Sequence, residues 1–164
     1  MGMETLEKHR VSRSREEARE IVTGLIGAAR REIKVFAPLL DPYYFNTPAV
    51  EQGLIAFALA HTHNRAQFLI EHVPALLQTQ PRLLGLLRRL GGRLEIRRVD
   101  DDDAGLREFF VVADTRAYYQ QNDYEILDSS AEADAPGQAA LLARRFAELW
   151  ARSERITDLQ PTGL

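Results

Sequence analysis

Glu71 and His72 stand next to each other, a carboxylate beside an imidazole, the two side-chain types most used to take or give a proton near neutral pH. Arg107 carries a guanidinium that stays protonated at physiological pH, so it suits an anion clamp with two parallel hydrogen bonds and does not suit a base. Around these lie the polar side chains of Asp41, Gln121 and Asn122 and the adjacent rings of Tyr43 and Tyr44, which stack on planar ligands at low entropic cost. These eight residues form the candidate ligand-binding set. As an enzyme they would act on a phosphorylated or carboxylated small molecule, with His72 or Glu71 as base and Arg107 as clamp. No metal and no cofactor is expected: His61 and His63 lie two apart at a helix end, where such a pair does not share a face.

Plainer readings compete at each position. Arg107 can pair on the surface with Asp100 to Asp103 or with Glu108. Asp114 follows an apolar run and precedes Thr115-Arg116, where aspartate forms turns by bonding its own backbone. The arginines at 88, 89, 93, 97 and 98 adjoin the acidic run 100–103 and read as a solvated face. Along one strand Tyr118 and Tyr119 must face opposite ways, so at most one can serve a given pocket.

The elements that would position these groups follow from periodicity. Ser14 and Glu17 form a capping box ahead of Ala18, Ile21, Val22, Leu25, Ile26 and Ala29, which predicts a helix over 14–31. Ile33 to Ala37 is a strand, and the aromatic stretch after Pro38 is a turn-forming loop. Thr47 and Pro48 read as N-cap and first residue of a second helix, which ends near His61. Residues 66–71 and 94–99 supply two more strands, separated by a helix over 73–90 that breaks at Pro81 and has Leu83, Leu86, Leu87 and Leu90 inward. A hairpin spans Leu106 to Asn122, turning at Asp114 to Arg116. An Ala-rich loop over 128–136 precedes the last helix, 137–153. Alternation of this kind builds a mixed, mostly parallel α/β sheet flanked by helices on both faces, with ligands expected at the carboxyl ends of the parallel strands. The expected organisation is a flexible N-terminus over 1–13, one α/β domain over 14–153 and a loose tail over 154–164.

The hairpin carries a resemblance. Its pattern is similar to the core hairpin of the phospholipase D-like superfamily, whose signature is His-x-Lys, four residues, then Asp. Counted back from Asp114, the histidine position holds Arg107 and the lysine position holds Phe109. The ending Phe146-Ala147-Glu148-Leu149-Trp150 also resembles the Phe-x-x-Leu-Trp ending of that superfamily's half domains. The Leu-Asp-Pro and Ala-Asp-Thr-Arg segments resemble an uncharacterised bacterial group found alone or fused to acetyltransferases. The resemblance implies one half domain with a degenerate motif. Members that hydrolyse phosphodiesters use a histidine nucleophile and lysines that hold phosphate oxygens, so this chain is expected to be catalytically inactive and to serve as a ligand-binding or protein-interaction module. It also implies a homodimer, and an acetyltransferase-type or other protein partner or a small anionic ligand as further candidates.

Composition bounds the rest. The chain has 164 residues, 45% of them hydrophobic, enough for one full core. A net charge of −3 does not favour nucleic acid or an anionic membrane as partner. Without cysteine there is no disulfide or thiolate chemistry, and with no leader-like N-terminus and no long apolar run the expected location is cytoplasmic.

Overall fold

The structure, a computed structural model, describes residues 10–157. Eight strands form one sheet in the order β1 (Arg10–Ser12), β7 (Ser129–Glu132), β6 (Ala117–Gln121), β5 (Phe109–Ala113), β2 (Glu32–Phe36), β3 (Arg65–Ile70), β4 (Leu94–Arg98) and β8 (Glu154–Arg155). Its centre is β2 (Glu32–Phe36), β3 (Arg65–Ile70) and β4 (Leu94–Arg98), which run parallel. The hairpin of β5 (Phe109–Ala113) and β6 (Ala117–Gln121) lies antiparallel against β2. The expected mixed sheet with helices on both faces is therefore what the chain builds, with parallel pairing confined to its β2-β3-β4 centre and antiparallel pairing at every other strand boundary.

Helix α1 (Arg15–Ala28) starts where the Ser14 hydroxyl accepts the Glu17 amide at 3.3 Å, which satisfies one of the unpaired amides of the first turn. Thr47 does the same for α3 (Pro48–Ala60) by accepting the Val50 amide. Between them Asp41 caps α2 (Pro42–Phe45), a single helical turn inside the stretch read as loop. The predicted break before Pro81 separates α4 (Val73–Thr79) from α5 (Pro81–Leu90). Gln80 sits at that joint, fully buried, and its amide nitrogen donates to the Leu40 carbonyl at 2.7 Å. That bond helps hold Leu40 at φ 47, a left-handed conformation unusual for leucine.

Helices α1, α3 and α5 cover one sheet face, where Ile33, Val35, Phe68, Ile96, Phe109, Val111 and Tyr119 join the larger core. Helix α6 (Pro136–Arg152) covers the other, packing Phe146 and Leu149 on Phe36, Phe110, Val112 and Tyr118. Tyr118 and Tyr119 do point to opposite faces.

Three short strands depart from the sequence reading. β7 (Ser129–Glu132) lies in the segment expected to be loop and pairs with β6, because a neighbour carrying buried Tyr119 and Gln121 leaves an edge whose backbone groups need partners. β1 (Arg10–Ser12) pairs with β7 within the terminus expected to be flexible. β8 (Glu154–Arg155) pairs with β4 and brings Ile156 into the core, within the tail expected to be loose. The rest of both termini lies outside the described residues. None of the described helices is long and apolar enough to cross a membrane.

Candidate functional site

The carboxyl ends of β2, β3 and β4 meet the open end of the hairpin on one rim, where the sequence placed the site. At its centre is a cavity of about 40 Å³, lined by Ala37 to Asp41, Tyr44, Phe45, Phe109, Gln121 and Tyr124. That volume holds one or two waters. It is small because Phe109, 5% exposed, fills the space, with its ring 5.2 Å from Tyr44, 5.3 Å from Tyr119 and 5.9 Å from Phe45. Such tilted and edge contacts suit aromatic quadrupoles and make a dry wall.

Of the eight candidates the cavity gathers Asp41, Tyr44 and Gln121. Gln121 is 1% exposed and committed: its oxygen accepts from the Tyr119 hydroxyl at 2.8 Å, and its nitrogen donates to the carbonyls of Asp123 and Ile126. Burial raises the pKa of the Tyr44 and Tyr119 hydroxyls, so both stay neutral across the physiological range. Asp41 faces Arg15 at 2.6 Å. Tyr43 lies outside the cavity, half-buried under Arg15 and Arg19, whose guanidinium carbons stand 4.4 and 4.3 Å from its ring centre.

Arg107 is held by carboxylates other than those the sequence offered. It makes a two-point contact with Asp123 at 2.9 and 3.0 Å, reaches Glu125 at 2.9 Å and lies over the Tyr124 ring. The hydrogen bonds that Arg107 donates to Asp123 raise the Arg107 pKa further and lower that of Asp123. Glu108 instead pairs with Arg145, and Asp103 with Arg152. The pairing of Arg107 with Asp123 was legible in principle: the ladder that sets Phe109 opposite Gln121 sets 107 opposite 123 when continued by one pair on the same face.

Glu71 accepts the Gly105 amide at 2.9 Å with one oxygen, and the other lies 3.9 Å from His72 Nε2. His72 is half-exposed and precedes α4 without a side-chain cap bond, so it is not packed beneath the Val73-Pro74 turn. Asn122 faces away from Gln121, toward a surface groove shared with Val11 and Ser130. The His61 ring accepts the His63 amide, and no group of three or more potential metal ligands occurs among the described residues.

Asp114 does more than turn the chain. At φ 57 it occupies the left-handed region, and its carboxylate accepts the amides of Arg30, Arg31 and Glu32 at 2.7 to 3.2 Å, binding the hairpin tip to the entry of β2. The reading in which aspartate bonds its own backbone gives way to a tertiary pin some 82 to 84 residues long-range.

A parallel βαβαβ centre followed by an antiparallel hairpin and a closing helix is the arrangement of the phospholipase D-like fold. Solved structures agree on the fold. Nuc from Salmonella typhimurium, a phospholipase D family member, superposes with a TM-score of 0.66 at 12% identity over 91% of this chain and 97% of its own. NucT from Helicobacter pylori gives 0.61 at 8% identity, covering 91% and 99%. TrmBL2, an archaeal chromatin protein whose structure is described as showing a novel mode of DNA binding, gives 0.65 at 17% identity; the match covers 92% of this chain and about half, 54%, of that one. No curated protein matches the sequence significantly. Within this fold the chain belongs to the family described as Domain of unknown function (DUF7931), whose model matches residues 14–161.

Proposed function

We propose that this chain is a non-catalytic phospholipase D-like domain that works as a protein-interaction module and self-associates through the rim at the carboxyl ends of its parallel strands. The observation that carries the reading is the occupation of the site: Phe109 fills its floor, and Arg107 at its edge is spent on Asp123 and Glu125. A histidine nucleophile and a phosphate-holding lysine have no counterpart at those two positions. The cavity that is left suits water better than a ligand, whereas the rim exposes Leu39, Ile126 and Leu127 at 38%, 60% and 38%. Tyr124, two residues before Ile126, lines the same cavity as Leu39, so these side chains form one apolar border of the kind found at the centre of subunit contacts. The occupant of this border is a second copy of the chain; the other outcomes of the test are binding of an acetyltransferase-type partner or of a small anionic ligand.

Sedimentation velocity on the purified chain tests this, together with hydrolysis of a chromogenic phosphodiester. The expected result is a dimer that the paired substitutions Leu39→Asp and Ile126→Asp convert to monomer, with no phosphodiester turnover. A monomer at every concentration, or turnover through a covalent adduct, overturns the reading.

The alternative reading, an enzyme of different mechanism with His72 or Glu71 as base and Arg107 as anion clamp, draws on the 3.9 Å approach of Glu71 to His72. The bound carboxylates of Asp123 and Glu125 weigh against it, because a substrate anion would have to displace both.

A further inference from the structure

The end of the sheet opposite the candidate site is built from arginine. Because β2, β3 and β4 are parallel and in register, the loops that enter them lie side by side: 29–31 after α1, 61–64 after α3 and 91–93 after α5. These loops are tied together. The Arg65 amide donates to the Arg31 carbonyl, and the Arg93 guanidinium donates to the Ala58 carbonyl at 3.0 Å. Arg30, Arg31, Arg65, Arg88, Arg89 and Arg93 all stand at this end, and all but Arg93 are exposed.

None of the six guanidinium groups contacts a carboxylate among the described residues; the Asp114 carboxylate meets Arg30 and Arg31 only at their backbone amides. Arg65 and Arg93 bond only to backbone carbonyls, and no aspartate or glutamate occurs in residues 21–31, 52–64 or 72–94. Of the acids that do approach, Asp114 is engaged by three backbone amides, Glu32 by Lys34 and Glu95 by Arg97. The acidic run that adjoins these arginines in sequence is elsewhere. β4 separates the two by its length, and Asp101 and Asp103 pair at the far end with Arg98 and Arg152. A net charge of −3 therefore conceals a molecule with one basic pole.

Three helix C-termini also converge here, each worth about half a negative charge, which would be offset by one or two cations rather than six. Neighbouring helices pack about 8–10 Å apart, so the row of loops from α1 to α5 extends across roughly 16–20 Å. At about 3.4 Å per base pair that row matches five or six steps of a duplex.

We propose that this pole is a docking surface for double-stranded nucleic acid, gripped through backbone phosphates without sequence preference. Arginine presents a planar fork that meets phosphate oxygens with two hydrogen bonds, and all six cations are arginine. Binding to a lipid surface normally adds apolar side chains that enter the bilayer, and among the described residues Leu59 is the one large apolar side chain exposed near these loops. No exposed Phe, Tyr or Trp lies in them to stack on splayed single-stranded bases.

The test is fluorescence anisotropy of a random-sequence 30-base-pair DNA duplex with the full chain, run from 50 to 200 mM salt. Six phosphate contacts should weaken binding about a thousandfold over that range, and removal of two should reduce the loss to about a hundredfold. Arg30→Gln with Arg31→Gln, and separately Arg88→Gln with Arg89→Gln, should each show this flatter dependence. Arg144→Gln, an exposed arginine on α6, should match the parent. Circular dichroism of each variant confirms that the fold is retained. No binding at 50 mM salt, or pole variants that bind as the parent does, overturns the proposal. So does stronger binding to vesicles containing phosphatidylserine than to the duplex.

Discussion

Replacing Phe109 with alanine probes the idea that this ring occupies the site. The side chain is 5% exposed and touches three other aromatic rings at centroid distances of 5.2 to 5.9 Å. Truncating a buried phenylalanine costs about 3–5 kcal/mol, the upper part arising where the void cannot collapse. Each ring pair contributes about 0.5–1.5 kcal/mol within that figure, and the pairs do not add. Here the void opens into the neighbouring cavity of about 40 Å³. Water can therefore enter, and the lower half of the range, about 3–4 kcal/mol, is expected. At about 2–4 °C per kcal/mol for a chain of this size, the thermal midpoint should fall by roughly 6–16 °C at fixed protein concentration. The enlarged pocket should then bind a small aromatic such as indole, which restores about 2.7 kcal/mol at a hundred times its dissociation constant. The parent protein should not respond. A loss below about 1 kcal/mol, or equal stabilisation of the parent by indole, would refute the claim that Phe109 fills the floor.

Asp114→Ala should cost about 2–3 kcal/mol in urea denaturation, since three amides lose a charged acceptor, and should speed hydrogen exchange at Arg30 to Glu32; Asp114→Asn, which keeps an acceptor and tolerates the left-handed backbone, should cost about half as much. Tyr44, Tyr118 and Tyr119 have folded-state pKa values raised by burial, so their contribution is full below about pH 10 and is lost as pH rises toward those values. Absorbance at 295 nm should show these hydroxyls ionising together with loss of near-ultraviolet dichroism, and five tyrosines titrating freely near pH 10 would contradict it. Asp123 has a lowered pKa through its bond to Arg107, so that contact is present above the usual carboxylate range and lost as pH falls through the lowered value. Carboxyl NMR should place the Asp123 titration higher in Arg107→Gln than in the parent, and no change would discount the pair.

Local chemistry was enough to fix the long elements and the rim. Ser14 and Thr47 announced two helices because their hydroxyls satisfy first-turn amides, a bond that depends on residues three positions away. Pro81 announced the α4–α5 break because a proline nitrogen has no hydrogen to donate, and Asp114 marked the hairpin tip. Strand order then required the carboxyl ends of β2, β3 and β4 to share an edge with Arg107 and Gln121. Tertiary structure decided what sequence spacing leaves open. Ser129–Glu132 has little strand propensity and becomes β7 because β6 offers it backbone partners, and β1 in turn completes β7. Arg107 bonds to Asp123 rather than to the nearer Asp103 because hairpin register, not chain distance, sets neighbours. The arginines at 88, 89 and 93 read in the sequence as a solvated face adjoining the run 100–103, yet a strand between them carries the two groups to opposite ends of the domain. Charges close in sequence cancel only when the fold leaves them close in space, and a β-strand moves its ends apart by about 3.3 Å for every residue it contains.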